Sequence, residues 1–83
     1  IDKSVPKGVN IDPSNANDYS NLGIAYFDKG YIDASIKAFQ KAINIDPSHA
    51  DAHFNLGLAY GEKGLIKAAK EAMRRGGLLK RLK

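Results

Sequence analysis

Apolar residues recur at intervals of three and four along most of this chain, and short clusters of Gly, Pro, Asp and Ser interrupt them at regular distances. Tyr19, Leu22, Ala25 and Tyr26 share one face of a helix with 3.6 residues per turn. Ile32, Phe39, Ala42 and Ile43 make a second stripe, with the small Ser35 inside it. Leu56, Ala59 and Tyr60 make a third, and Ile66, Ala69 and Met73 a fourth. The pattern predicts an all-α chain with helices over about 16–29, 31–45 and 50–63, and a fourth from about residue 65.

The interruptions fit those helices. Gly30 and Gly64 end the first and third, because glycine tolerates the left-handed conformation that closes a helix. Pro13 and Pro47 hold the residue before them out of helix, and Ser14 or a neighbouring Asn is placed to cap the helix that follows. Gly23 stands inside a predicted helix, where it costs about 1 kcal/mol relative to Ala. Its recurrence at Gly57 predicts that each glycine admits a close approach by the facing helix. Gly76-Gly77 is expected to weaken the fourth helix. Leu78 to Lys83 then reads as a short amphipathic helix, either separate or continuous through the glycines. Ile1 to Asn10 shows no helical period and is expected to be a loose terminal segment, with Val5, Val9 and Ile11 able to dock on the first hairpin.

The stripes and interruptions repeat with a period of thirty-four. Between Asn10 and Ala38, 16 of 29 positions carry the same residue thirty-four places later, far above coincidence, so the chain is an internal repeat. Tyr19, Leu22-Gly23, Tyr26 and Phe39, closed by Pro47, are answered one period later by His53, Leu56-Gly57, Tyr60 and Met73. This pattern resembles the tetratricopeptide repeat, over roughly Asn10 to Arg75. It departs from the family pattern at His53, which stands for the aromatic, and at Gly76-Gly77, which stand for Ala42-Ile43. The resemblance implies tandem antiparallel helical hairpins stacked in a right-handed α-solenoid. The expected division is an N-terminal segment ending a preceding repeat over 1–13 and repeats over 14–47 and 48–77. A basic amphipathic capping segment over 78–83 completes it.

Eighty-three residues make one domain at most, and a chain of that size buries only about 60% of its unfolded surface. Arrays of this kind share their core between neighbours and are stable at about three repeats, so two repeats read as a piece of a longer array. The absence of cysteine excludes disulfides and thiolate chemistry. No apolar run is long enough to span a membrane and no signal peptide is visible, which favours a cytoplasmic setting while leaving the compartment open. The net charge of +4 divides unevenly: residues 1–62 hold 5 Lys/Arg against 8 Asp/Glu, and residues 63–83 hold 8 against one.

Two candidate sites follow. The resemblance implies that the first helix of each hairpin lines a concave groove for a peptide or protein segment. The groove positions are Asn17, Ser20, Asn21, Ile24, Phe27 and Asp28, then Asp51, Phe54, Asn55, Leu58, Gly61 and Glu62. Exposed Ile24, Phe27, Phe54 and Leu58 would form an apolar patch of the kind that marks partner sites. If they pack inward instead, the patch disappears. A clamp for acidic C-terminal peptides needs cations on this face, and it carries no Lys or Arg. The second candidate is the basic tail of Arg74, Arg75, Lys80, Arg81 and Lys83 with Leu78, Leu79 and Leu82. It is expected mainly to cap the array, with an anionic membrane surface or nucleic acid as disfavoured alternatives. Two repeats also leave an open hairpin face at each end, so a homo-oligomer or helix exchange is an alternative to the groove.

His49 and His53 lie four apart on one helix face, but two ligands do not complete a zinc site, so a structural role for both is expected. The glycines follow no strand and precede no Gly-Lys-Ser/Thr, so they hold no phosphate. No carboxylate pair or nucleophile–base set is present, and neither catalysis nor a cofactor is expected.

Overall fold

The computed structural model describes residues 11–81, with side chains placed as far as Leu79. Four helices follow one another: α1 (Ala16–Asp28), α2 (Ile32–Ile45), α3 (Ala50–Glu62) and α4 (Ile66–Arg81). α1 packs along α2 and α3 along α4, giving two helical hairpins. α2 joins them by packing on α3, and α1 also touches α3. Predicted and observed helices agree in number and order, with the first and third one residue shorter at their C-terminal ends.

Each hairpin turns in the same way. Gly30 (φ 83°) and Gly64 (φ 78°) adopt the left-handed conformation. Gly30 N–H donates to the Phe27 carbonyl at 3.0 Å and Tyr31 N–H to the Tyr26 carbonyl at 2.9 Å. Gly64 and Leu65 repeat those bonds to Gly61 and Tyr60 at 3.0 and 2.9 Å. This is the paired-bond closure that satisfies the free carbonyls of a helix end. The loops before α1 and α3 also match: Asp12 Oδ1 accepts from Ser14 N–H and Oγ at 3.0 and 2.8 Å, and Asp46 Oδ1 from Ser48 N–H and Oγ at 3.0 and 2.7 Å. Ser14 is therefore spent on the turn, and Asn15 is the cap, its side chain accepting from Asp18 N–H at 3.2 Å.

The core is thin. Phe39 (1% exposed) and Ser35 are the largest side chains that are fully buried. Phe39 clusters with Leu56, Ala59 and Ala72. Ala16, Ala42 and Ala52 form a second cluster, and Leu22, Tyr26 and Ala38 a third, on which Ile11 packs. The expected docking of Ile11 is thus seen, while Val5 and Val9 lie outside the described residues. Ser35 satisfies its hydroxyl by donating to the Ile32 carbonyl at 2.7 Å, and among the described residues no buried side-chain nitrogen or oxygen lacks a partner.

Of the two readings left open for the end of the fourth helix, the continuous one holds: the helix runs through Gly76-Gly77 to Arg81. Gly76 is buried against α3, where a Cβ would lie 2.9 Å from the Ala50 carbonyl oxygen and 3.0 Å from Phe54 N. The glycine trades helix propensity for close helix–helix contact. Ile66, expected in the packed stripe, is 55% exposed. Its counterpart Ile32 packs on the Phe39 cluster that α3 helps to form, whereas no helix follows α4 among the described residues.

Candidate functional site

The free faces of α1 and α3 carry the groove candidates. Asn17, Asn21, Ile24 and Asp28 are exposed on α1, and Asp51, Phe54, Leu58, Gly61 and Glu62 on α3. Asn55 is half-buried. Ile24, Phe54 and Leu58 are 41, 42 and 42% exposed, high for large apolar side chains in a helix. Three of the four apolar side chains considered for the groove are therefore exposed. Phe27 is half-buried and packs against the Phe39 cluster.

Ser20 is buried, at 4% exposure, and stands away from the solvent face. Its counterpart one repeat later is Phe54, which is exposed. α1 has α3 beside it, while α3 has no succeeding first helix among the described residues. A small side chain in the one and a large one in the other match those surroundings.

The carboxylates Asp28, Asp51 and Glu62 share these faces with no Lys or Arg among the candidate positions. Exposed apolar side chains and exposed carboxylates thus share these two helices. Asn17 is partly engaged: its Oδ1 lies 2.6 Å from His49 Nε2.

Both histidines are structural in their contacts. His49 is the N-cap of α3, its Nδ1 accepting from Ala52 N–H at 3.1 Å, so Nε2 carries the proton and donates to Asn17. His53 is buried, with Nε2 donating to the Pro47 carbonyl at 2.9 Å. Three of the four ring nitrogens are thereby engaged with protein atoms. Among the described residues no group of three or more His, Cys, Asp or Glu side chains is gathered to hold a metal ion.

Two side-chain bonds that periodicity did not single out tie the hairpins together. Lys63 Nζ donates to Asp33 Oδ1 at 2.5 Å, and Gln40 Nε2 donates to Tyr60 Oη at 3.1 Å. The hydrogen bond from Lys63, with its charge, holds the Asp33 carboxyl below the ordinary aspartate value. Backbone and hydroxyl donation from Ser14 does the same for Asp12. Their visible signal was a break in the repeat: Asp33 and Gln40 become Lys67 and Arg74 one period later.

Of the basic tail, Arg74 and Arg75 are exposed on α4, and Arg75 pairs with Glu71 at 2.8 Å. Lys80 and Arg81 continue the α4 backbone, and Lys83, with Leu82, lies outside the described residues. Among the described residues no helix is long and apolar enough to cross a membrane.

Comparison with known proteins agrees with this geometry. A family model described as TPR repeat matches residues 25–64. The fold is similar to the crystal structure of MamA with a TM-score of 0.78 and 32% identity, over 82% of this chain and 40% of that one. The chain thus spans well under half the length of that relative. No curated protein sequence matches. With four helices in paired hairpins and the thirty-four-residue repeat in phase with them, the chain belongs to the tetratricopeptide repeat family.

Proposed function

We propose that this chain, like tetratricopeptide repeats generally, mediates protein–protein interaction, and that it holds a segment of a partner protein along the free faces of α1 and α3 without performing chemistry. The supporting observation is the exposure of Ile24, Phe54 and Leu58 beside Asp28, Asp51 and Glu62. Apolar side chains on an otherwise polar helix face supply burial energy on binding, at about 25 cal/mol per Å². The carboxylates select the partner's charge. The segment that fits carries apolar anchors and Lys or Arg, the opposite of the acidic peptides that a basic clamp would hold. Asn21 and Asn55 add hydrogen bonds to the segment's backbone.

Anisotropy of fluorescein-labelled peptides tests this reading. The probe is a library of short peptides with Leu or Phe anchors and interspersed Lys, set against the same library with Glu for Lys. The Lys set is expected to bind, and Phe54→Asp to weaken its tightest member by at least about tenfold, as loss of an interface anchor does. Helix content should stay intact by circular dichroism. Binding unchanged by Phe54→Asp, or preference for the Glu set, refutes the reading.

A further inference from the structure

The face of α2 that receives α3 is built from Asp33, Ile36, Gln40 and Ile43. Ile36 and Ile43 lie against the Phe39 cluster, Gln40 bonds Tyr60, and Asp33 pairs with Lys63. One period later these positions are Lys67, Lys70, Arg74 and Gly77, and all four are exposed on α4. The three cations follow one another at three and four residues, so they form a row along one helix face. None of them pairs with a carboxylate among the described residues, since Glu71 is taken by Arg75. Ile66 (55% exposed) lies near one end of the row and Leu78 (52%) near the other. A shallow cleft of about 490 Å³ lies along it, lined by Lys67, Lys70, Arg74, Leu78 and the Glu71–Arg75 pair. α4 thus occupies the place of α2 in its hairpin and presents the α2 docking face with its chemistry inverted.

We propose that this face docks an acidic amphipathic helix of a partner protein, laid on α4 as α3 lies on α2. Carboxylates on that helix meet Lys67, Lys70 and Arg74, and apolar residues towards its ends cover Ile66 and Leu78. The Asp33–Lys63 pair is the precedent within this molecule for a charge pair across such a contact, with the signs exchanged.

A second copy of this chain fits poorly. Its α1 carries Lys29 where α3 carries Lys63, so stacking it on α4 sets Lys29 against Lys67. A lipid surface also fits poorly. The apolar side of α4, with Ala69, Ala72 and Gly76, is already buried, whereas membrane-surface helices insert that side.

The probe is a synthetic fluorescein-labelled helix of the length of α4, with Glu in a row at three- and four-residue spacing and Leu near both ends. Its control has the same residues shuffled so that the Glu no longer share a face. Phosphatidylserine vesicles and duplex DNA are the competing ligands, and anisotropy is read at low and physiological salt. The patterned helix is expected to bind at least about tenfold more tightly than the shuffled one, and to weaken as salt rises. Lys67→Glu/Lys70→Glu/Arg74→Glu is expected to abolish the preference, and Phe54→Asp to leave it unchanged, which separates this face from that of α1 and α3. If the triple variant loses helix content, Lys70→Gln/Arg74→Gln replaces it with the same expectation. Equal binding of the two peptides, retention of the preference in the charge variants, or tighter binding to vesicles or DNA overturns the proposal.

Discussion

The ring of Phe39 lies across Gly23 so closely that a Cβ at that position would sit 2.5 Å from the ring. Phe39 is the largest fully buried side chain, and Gly23 is the reason α1 admits it. Gly57 has the same relationship to Met73, where a Cβ would be 2.6 Å from the side chain and 2.9 Å from the Ala69 carbonyl oxygen. Gly23→Ala gains about 1 kcal/mol of helix propensity and loses about 1–3 kcal/mol to overpacking, so net destabilisation is expected. Gly61→Ala, with nothing within 4 Å, is expected to be neutral or stabilising. Thermal melts of the two variants check the contrast; a Gly23→Ala protein as stable as its parent contradicts the packing account.

Adjacent glycines in α4 should behave oppositely. Gly76→Ala drives a Cβ into the α3 backbone, while Gly77→Ala meets nothing within 4 Å. The first is expected to cost about 1–3 kcal/mol and the second to gain up to about 1 kcal/mol. Urea unfolding of the pair measures both signs. Equal effects would mean that α4 does not press against α3 at Gly76.

The Asp33–Lys63 pair makes the stacking of the hairpins sensitive to acid. The Asp33 carboxyl titrates below its ordinary value, so its contribution is present above that value and is lost as pH falls through the lowered one. Asp33→Asn should therefore melt lower than the parent at neutral pH and low salt. The difference should be small, because both side chains are exposed, and it should vanish at the acid end. A difference that persists in acid would assign the effect to something other than the charge.

His49 caps α3 from the repeat position that Asn15 holds for α1. His49→Ala is expected to cost about 1 kcal/mol, the usual loss of an N-cap acceptor. His49→Asn should recover most of it, because Asn caps the equivalent helix in this same chain. Chemical unfolding of both variants tests this, and equal loss in the two would show that the Asn17 bond, rather than the cap, carries the effect.

Periodicity alone made the four helices legible, because stripes at three and four, glycine stops and Asp-Pro-Ser starts are local signals whose physics acts within one or two turns. The same signals made Gly23 and Gly57 legible as close approaches, since a repeated glycine inside a helix has a cost that packing must offset. The exposure of Ile24, Phe54 and Leu58 was legible as three solvent-facing positions of the helix pattern. The burial of Ser20 and the partial burial of Phe27 were not legible, because each depends on which neighbouring helix lies over it.

The sequence by itself determined the hairpins, their order and their kinship, since each is written in a thirty-four-residue pattern that local propensity and helix geometry can read. Tertiary structure decided what the pattern's exceptions mean. Gly76 reads as a weak point of the fourth helix until α3 is seen against it, and Ile66 reads as core until no helix follows α4 among the described residues. Asp33 and Gln40 belong to no apolar stripe, and only the structure brings Lys63 and Tyr60 to them from the next hairpin. In each case the deciding contact comes from another helix, and burial, hydrogen bonding and charge pairing between helices are properties of their arrangement rather than of any one segment.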